Sequence, residues 1–276
     1  MKKNIPVFKP FFNNKEILAS KKALELGYLG HGSYSDNFEK EISKTIKINK
    51  KKVVAVSTGS AAIKVALKLS NVKYGDEVIT PSHNNVGVLQ AIVDIGAEPV
   101  FCDIKENDLT IDETKIPQLI NKKTKALICI DYGASICDFS KLEKIGKKYN
   151  IKVIHDAAHS FGSKSKITKK YIGHDSDFCT FSFDPVKTIS CIDGGAVICK
   201  NIKDANKARS IRFLGQDFDQ KLLPKDQKIY RYQVRDIGYR FHLPNLHANI
   251  GLSQLSKIKQ IGNERRKLFF FYQKKL

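Results

Sequence analysis

The sequence predicts an α/β fold, with a mainly parallel central sheet flanked by helices. Two observations lead there. Short apolar runs of strand length recur along the chain, and longer amphipathic stretches separate most of them. Strand–helix alternation at this rhythm argues for parallel strands covered on both faces.

The elements follow in order. Residues 1–48 read as an N-terminal arm with two helices. VVAVS (53–57) is the first strand, and SAAIKVALKLS (60–70) places apolar residues at helical spacing. EVITP (77–81), PVFC (99–102), KALICI (125–130) and KVIHD (152–156) are further strands, with KLEKIGKKYN (141–150) an amphipathic helix before the last of them. DFCTFSF (177–183) and GAVICK (195–200) complete the sheet. Residues 214–236 are polar and loop-like. A long helix starts near Pro244 and carries Phe269, Phe270, Phe271 and Tyr272, an apolar patch that calls for a packing partner. Three regions result: the arm (1–48), a large α/β domain (49–243) and the long helix (244–276).

Composition excludes several classes. An apolar content of 42% is ordinary for a globular chain. No run approaches the roughly 18 apolar residues of a membrane span. The basic start, MKKNIPVFKPFF, lacks the apolar core of a signal peptide, so the cytoplasm is the expected compartment. The six cysteines form no C-x-x-C pair and are expected to be buried and reduced, with no metal site. A net charge of +20 invites a nucleic-acid reading. The lysines are dispersed, however, and only seven basic residues are arginine, the usual reader of bases. A solvated lysine surface is the better reading.

Ligands of open α/β sheets bind at the carboxyl ends of the strands. VVAVS runs into Thr58-Gly59-Ser60 and a helix, a turn suited to phosphate through free N–H groups and the helix dipole. KVIHD ends at Asp156, followed by Ala157, Ala158 and His159. The run FSF delivers Ser182 and, five residues on, Lys187. Read singly, these are a helix cap, a loop acid and one lysine among many. Together they are the equipment of pyridoxal phosphate: an amine for the aldehyde, a carboxylate for the pyridine nitrogen and a cradle for the phosphate.

The chain resembles the DegT/DnrJ/StrS aminotransferases, fold type I pyridoxal-phosphate enzymes that act on nucleotide-linked keto sugars. The resemblance runs through STGSAA (57–62), GDEVITPSH (75–83), GAEPVFCDI (96–104), TKALICIDYG (124–133), VIHDAAHSFG (153–162), FSFDPVK (181–187) and DGGAV (193–197). It implies that Lys187 is the Schiff-base lysine and that Asp156 pairs with the pyridine nitrogen. It places His159 near the cofactor's 3-hydroxyl, and Gly59, Ser60 and Ser182 at the phosphate. His83 or Asn85 stands where many members have an aromatic residue over the ring, and Asp184 stands where His or Tyr is usual. Segment 238–255 is similar to the family segment that reaches a neighbouring subunit's site, so a homodimer is implied. Glutamate is the implied donor, a nucleotide-linked keto-deoxysugar the acceptor, and an amino sugar for surface polysaccharide or lipopolysaccharide the product. Family members continue into a small C-terminal domain, most of which this sequence lacks. The other reading is therefore a non-catalytic chain of the same fold that binds the cofactor or a full-length partner.

Overall fold

The computed structural model of the protein describes residues 8–216 and 233–276. The start of the predicted arm and most of the predicted polar loop lie outside the described residues. Strands form where the apolar runs lie: β1 (Val53–Val56), β2 (Glu77–Pro81), β3 (Glu98–Cys102), β4 (Thr124–Ile130), β5 (Lys152–Asp156), β6 (Phe178–Ser182) and β7 (Gly195–Cys199). They make one sheet in the order β1-β7-β6-β5-β4-β2-β3.

Strands β2 to β6 run parallel to one another, whereas β7 is antiparallel to both β1 and β6. The exception has a local cause. A parallel neighbour needs a crossover, usually a helix, but the chain returns from β6 to β7 through residues 183–194 alone. This return places FSFDPVK at the carboxyl end of β6. It also leaves β1 pointing the same way as β6, so both strands deliver their ends to one edge.

The helices are α1 (Asn14–Glu25), α2 (Ser33–Thr45), α3 (Gly59–Leu69), α4 (Val86–Asp94), the short α5 (Ile116–Leu119), α6 (Phe139–Tyr149), α7 (Ile202–Ile211), α8 (Asn245–Ser256) and α9 (Ile258–Lys275). Alternation along the strands sends residues to two buried faces. Val54, Val56, Val78, Ile128, Ile154 and Val197 pack with α3, α4 and α7 on one side. On the other side, Val53, Ala55, Phe181 and Ile198 pack with α2 and α8, while Ile79, Leu127 and Val153 pack with α5 and α6. Phe38, Phe178, Phe181 and Phe183 are fully buried, each contributing about 1.5–3 kcal/mol. All six cysteines are buried and free of disulfides. Among the described residues, no helix is long and apolar enough to cross a membrane.

The long helix predicted from Pro244 is in fact two helices, α8 and α9. Lys257 leaves helical geometry (φ −105°, ψ 3°) between them. Its side chain is drawn inward to Glu16 on α1, with Nζ 2.7 Å from Oε1 and both groups almost wholly buried. Burial alone would raise the Glu16 pKa. Lys257, together with hydrogen bonds from the Asn13 N–H, Ser253 and Gln254, instead holds it at about 2. The sequence pattern shows an uninterrupted helical period here because Lys257 reads as a surface residue until its partner is known.

Candidate active site

Strands β1, β4, β5 and β6 end on an open cleft of about 710 Å³. Its first wall is the turn into α3. Thr58 is the N-cap, and its hydroxyl oxygen accepts a hydrogen bond from the Ala61 N–H at 2.9 Å. Gly59 and Ser60 follow in the first turn, where backbone N–H groups have no partner inside the helix, and both line the cleft. Gly59 lies so close to β6 that a Cβ there would sit 2.7 Å from the Ser182 Cβ. Gly195 is equally confined. It pairs with both Val56 and Ser182, and a side chain on it would overlap the Thr58 carbonyl. The paired glycines of DGGAV are thus explained in part by sterics: β7 passes directly beneath the α3 turn.

The second wall is the end of β5. Asp156 is 5% exposed, and one carboxylate oxygen accepts a hydrogen bond from the Ala158 N–H at 3.1 Å. Burial pushes its pKa up to about 6. The Ala158 N–H, His155 and Lys187 oppose that rise. His159 also lines the cleft. Its Nδ1 accepts a hydrogen bond from the Gly133 N–H at 3.1 Å, so the neutral ring carries its proton on Nε2. Burial and the nearby Lys187 lower its pKa.

The third wall is the β6–β7 return. Ser182 is buried at the strand end, and its hydroxyl oxygen accepts from the Asp184 N–H at 3.4 Å. A carboxylate oxygen of Asp184 accepts from the Val186 N–H (3.0 Å), and its carbonyl accepts from the Lys187 N–H (3.0 Å). Asp184 therefore shapes the turn that presents Lys187. Burial lowers the Lys187 pKa against the pull of Asp156 and Asp184, which enlarges its neutral fraction.

Of the residues singled out from the sequence, Gly59, Ser60, Asn85, Asp156, His159, Ser182 and Lys187 all line this cleft. Asn85 also caps α4, accepting a hydrogen bond from the Gly87 N–H at 2.8 Å. His83 is not among the lining residues. Its ring packs against Tyr132 (centroids 3.9 Å apart), and its Nε2 is buried without a hydrogen-bond partner among the described residues. The aromatic wall beside it is Tyr132 itself. Sequence reasoning passed over Tyr132, Thr180 and Asp193, which also line the cleft. Applying the strand-end rule to KALICI would have found Asp131-Tyr132.

A profile of the DegT/DnrJ/EryC1/StrS aminotransferase family matches residues 11–276. The chain belongs to this family, and its sheet and flanking helices are those of fold type I aminotransferases. It is similar to the aminotransferase TlmJ from Streptoalloteichus hindustanus at 26% identity, with a TM-score of 0.89, covering 99% of this chain and 71% of that one. Spr1654 from Streptococcus pneumoniae, assigned as a sugar aminotransferase and solved in a PMP form, is 25% identical, with a TM-score of 0.89 and coverage of 98% and 72%. Helicobacter pylori PseC, an aminotransferase involved in the biosynthesis of pseudoaminic acid, is 26% identical, with a TM-score of 0.83 and coverage of 93% and 66%.

Proposed function

We propose that the protein is a pyridoxal-phosphate-dependent aminotransferase that moves an amino group from glutamate to a nucleotide-linked keto-deoxysugar. The amino sugar formed would serve surface glycans or related glycosides. The observation that carries this reading is the convergence of Lys187, Asp156 and the α3 N-terminus on one cleft. Its family membership and the PMP form of Spr1654 support it.

The residues present fit the cofactor. The first turn of α3, with the hydroxyls of Ser60 and Ser182, suits a phosphate, and Gly59 adds no side chain to obstruct it. Asp156 is a buried carboxylate whose charge burial disfavours, so a protonated ring nitrogen is the partner it lacks. When bound, the group supplies an electron sink for the pair left behind as the donor's Cα–H bond breaks. Lys187 Nζ would hold the cofactor covalently; once the donor's amine displaces it, the freed neutral amine would take the proton from that Cα. Burial favours that neutral form. Asp156 would keep the ring nitrogen protonated, and His159, with its Nδ1 occupied by the Gly133 N–H, would have its Nε2–H free to donate to the cofactor.

An absorbance titration tests the reading. Adding pyridoxal phosphate to the purified protein should raise a visible band, and glutamate should bleach it. Failure to raise the band overturns the proposal, and a band that glutamate leaves intact overturns the assigned donor.

We also propose a homodimer. Phe269, Phe270, Phe271 and Tyr272 on α9 are each 57–62% exposed, and Ile17, Leu18 and Leu24 on α1 are also exposed. Light scattering should return about twice the 31.1 kDa of one chain. A clean monomer would refute the dimer.

A further inference from the structure

Beneath the cleft lies a buried polar cluster that the proposed chemistry does not use. Asp131, at the end of β4, is 0% exposed. One carboxylate oxygen accepts from the Cys137 N–H at 3.0 Å. The other accepts from the Ser160 hydroxyl at 2.5 Å and lies 2.8 Å from His155 Nε2. The Asp131 N–H donates to the Asp156 carbonyl at 3.1 Å. Ser160 is 0% exposed and His155 is 2% exposed, with the His155 ring against Phe139 (centroids 4.0 Å apart).

These contacts join two loops. Residues 131–137 follow β4 and carry Tyr132 and Gly133, while residues 156–160 start at Asp156, the last residue of β5, and carry His159. At the cleft surface the loops are tied by the hydrogen bond from the Gly133 N–H to His159 Nδ1. Gly133 and Ala134 both have positive φ, +58° and +68°, so this turn is a conformation that needs outside support. Asp131 supplies it by gripping the far end of the turn at Cys137 and the neighbour of His159 at Ser160.

A buried carboxylate is costly unless its oxygens are satisfied. Burial would raise the Asp131 pKa, but His155, Ser160 and the Cys137 N–H together hold it below its usual value. The charge is therefore retained in the folded state. A charged acceptor makes stronger hydrogen bonds than a neutral one, and two donors, the Cys137 N–H and the Ser160 hydroxyl, converge on this one, with His155 Nε2 beside it. Such a residue fixes the spacing of everything attached to it.

We propose that Asp131 is a positioning residue of the cleft: through Ser160, His155 and the Cys137 N–H it locks the two loops together so that Gly133 holds His159 in a single tautomer. Its value to catalysis rests on the cofactor reading of the cleft; its grip on His159 does not.

The test uses the cofactor-free protein and Asp131→Asn, which keeps the shape but removes the charge and turns one acceptor into a donor. Nitrogen-15 spectra of the imidazoles, with His159 assigned by His159→Gln, should show the wild-type ring protonated on Nε2. In Asp131→Asn the two tautomers should mix. Amide exchange at Gly133 should speed up by about tenfold or more, as expected when one hydrogen bond is lost. A merely structural Asp131 would lower the unfolding free energy and leave the His159 tautomer and Gly133 exchange unchanged, and that result overturns the proposal. If Asp131→Asn does not fold, Ser160→Ala removes one donor and carries the same readout. An unchanged His159 in Ser160→Ala then overturns the proposal. Should the wild-type protein fail to bind pyridoxal phosphate, the cofactor reading falls while the result for His159 still stands or falls by these spectra.

Discussion

Lys187→Ala is expected to abolish covalent attachment of pyridoxal phosphate and to reduce transamination by at least about 10³-fold, the loss associated with removing a nucleophile that is also the proton carrier. Borohydride treatment of the loaded wild-type protein, followed by peptide mapping, should find the pyridoxyl group on Lys187. Selectivity for one lysine in a chain with 48 basic residues has a physical basis. An exposed lysine near pH 7 is almost entirely ammonium and reacts slowly. Burial lowers the Lys187 pKa, and the Asp184 turn fixes its backbone beside the strand end. A label on another lysine, or a visible band that survives Lys187→Ala, would sink the assignment.

The sheet was legible because fully buried strands need continuous apolar runs, and these runs were bounded by glycines, prolines and polar residues. β2 and β5 fall on the residues the pattern predicts, and the other strands differ by a residue or two at their ends. The cleft was legible for a related reason. Parallel strands share a direction, so one rule about carboxyl ends gathers Gly59, Asp156 and Ser182 without any coordinates. What escaped the sequence depends on partners distant along the chain. Lys257 breaks a helix because Glu16, far upstream, is buried beside it. Asn85 is read equally well as a ligand or a cap until the Gly87 N–H is seen on its oxygen. His83 carries the chemistry of a site residue, yet its ring is engaged with Tyr132 outside the lining of the cleft. Asp131 and His155 look like an ordinary loop acid and an ordinary strand residue. Only the register of β4 against β5, which pairs Ile130 with Asp156, brings them together.

Asp156→Asn should move activity and stability in opposite directions. Asparagine keeps the shape and can still accept the Ala158 N–H, but it cannot hold a ring nitrogen protonated. Losing that charge should slow the half-reaction with glutamate by about 10²–10³-fold, in line with removing one preorganised electrostatic contact. The stability effect follows from the buried carboxyl. Its pKa is raised from 3.8 to about 6 in the folded chain. Below pH 3.8 the group is protonated in both folded and unfolded chains and burial of the carboxyl carries no charge penalty. Between pH 3.8 and about 6 the folded state holds a proton that the unfolded state has lost, so stability falls as pH rises. Above that window the penalty levels off at about 3 kcal/mol, because each tenfold difference in proton affinity between the two states is worth about 1.4 kcal/mol. Asparagine never ionises and escapes the penalty. Denaturation of the cofactor-free proteins should therefore show Asp156→Asn more stable than wild type at about pH 7.5, by up to about 3 kcal/mol. The gap should close as the pH is lowered towards about 4. Loading pyridoxal phosphate should stabilise wild type more than the variant, because only the carboxylate gains a cationic partner. A variant that is less stable at every pH, or that keeps the wild-type half-reaction rate, would remove Asp156 from the role assigned to it.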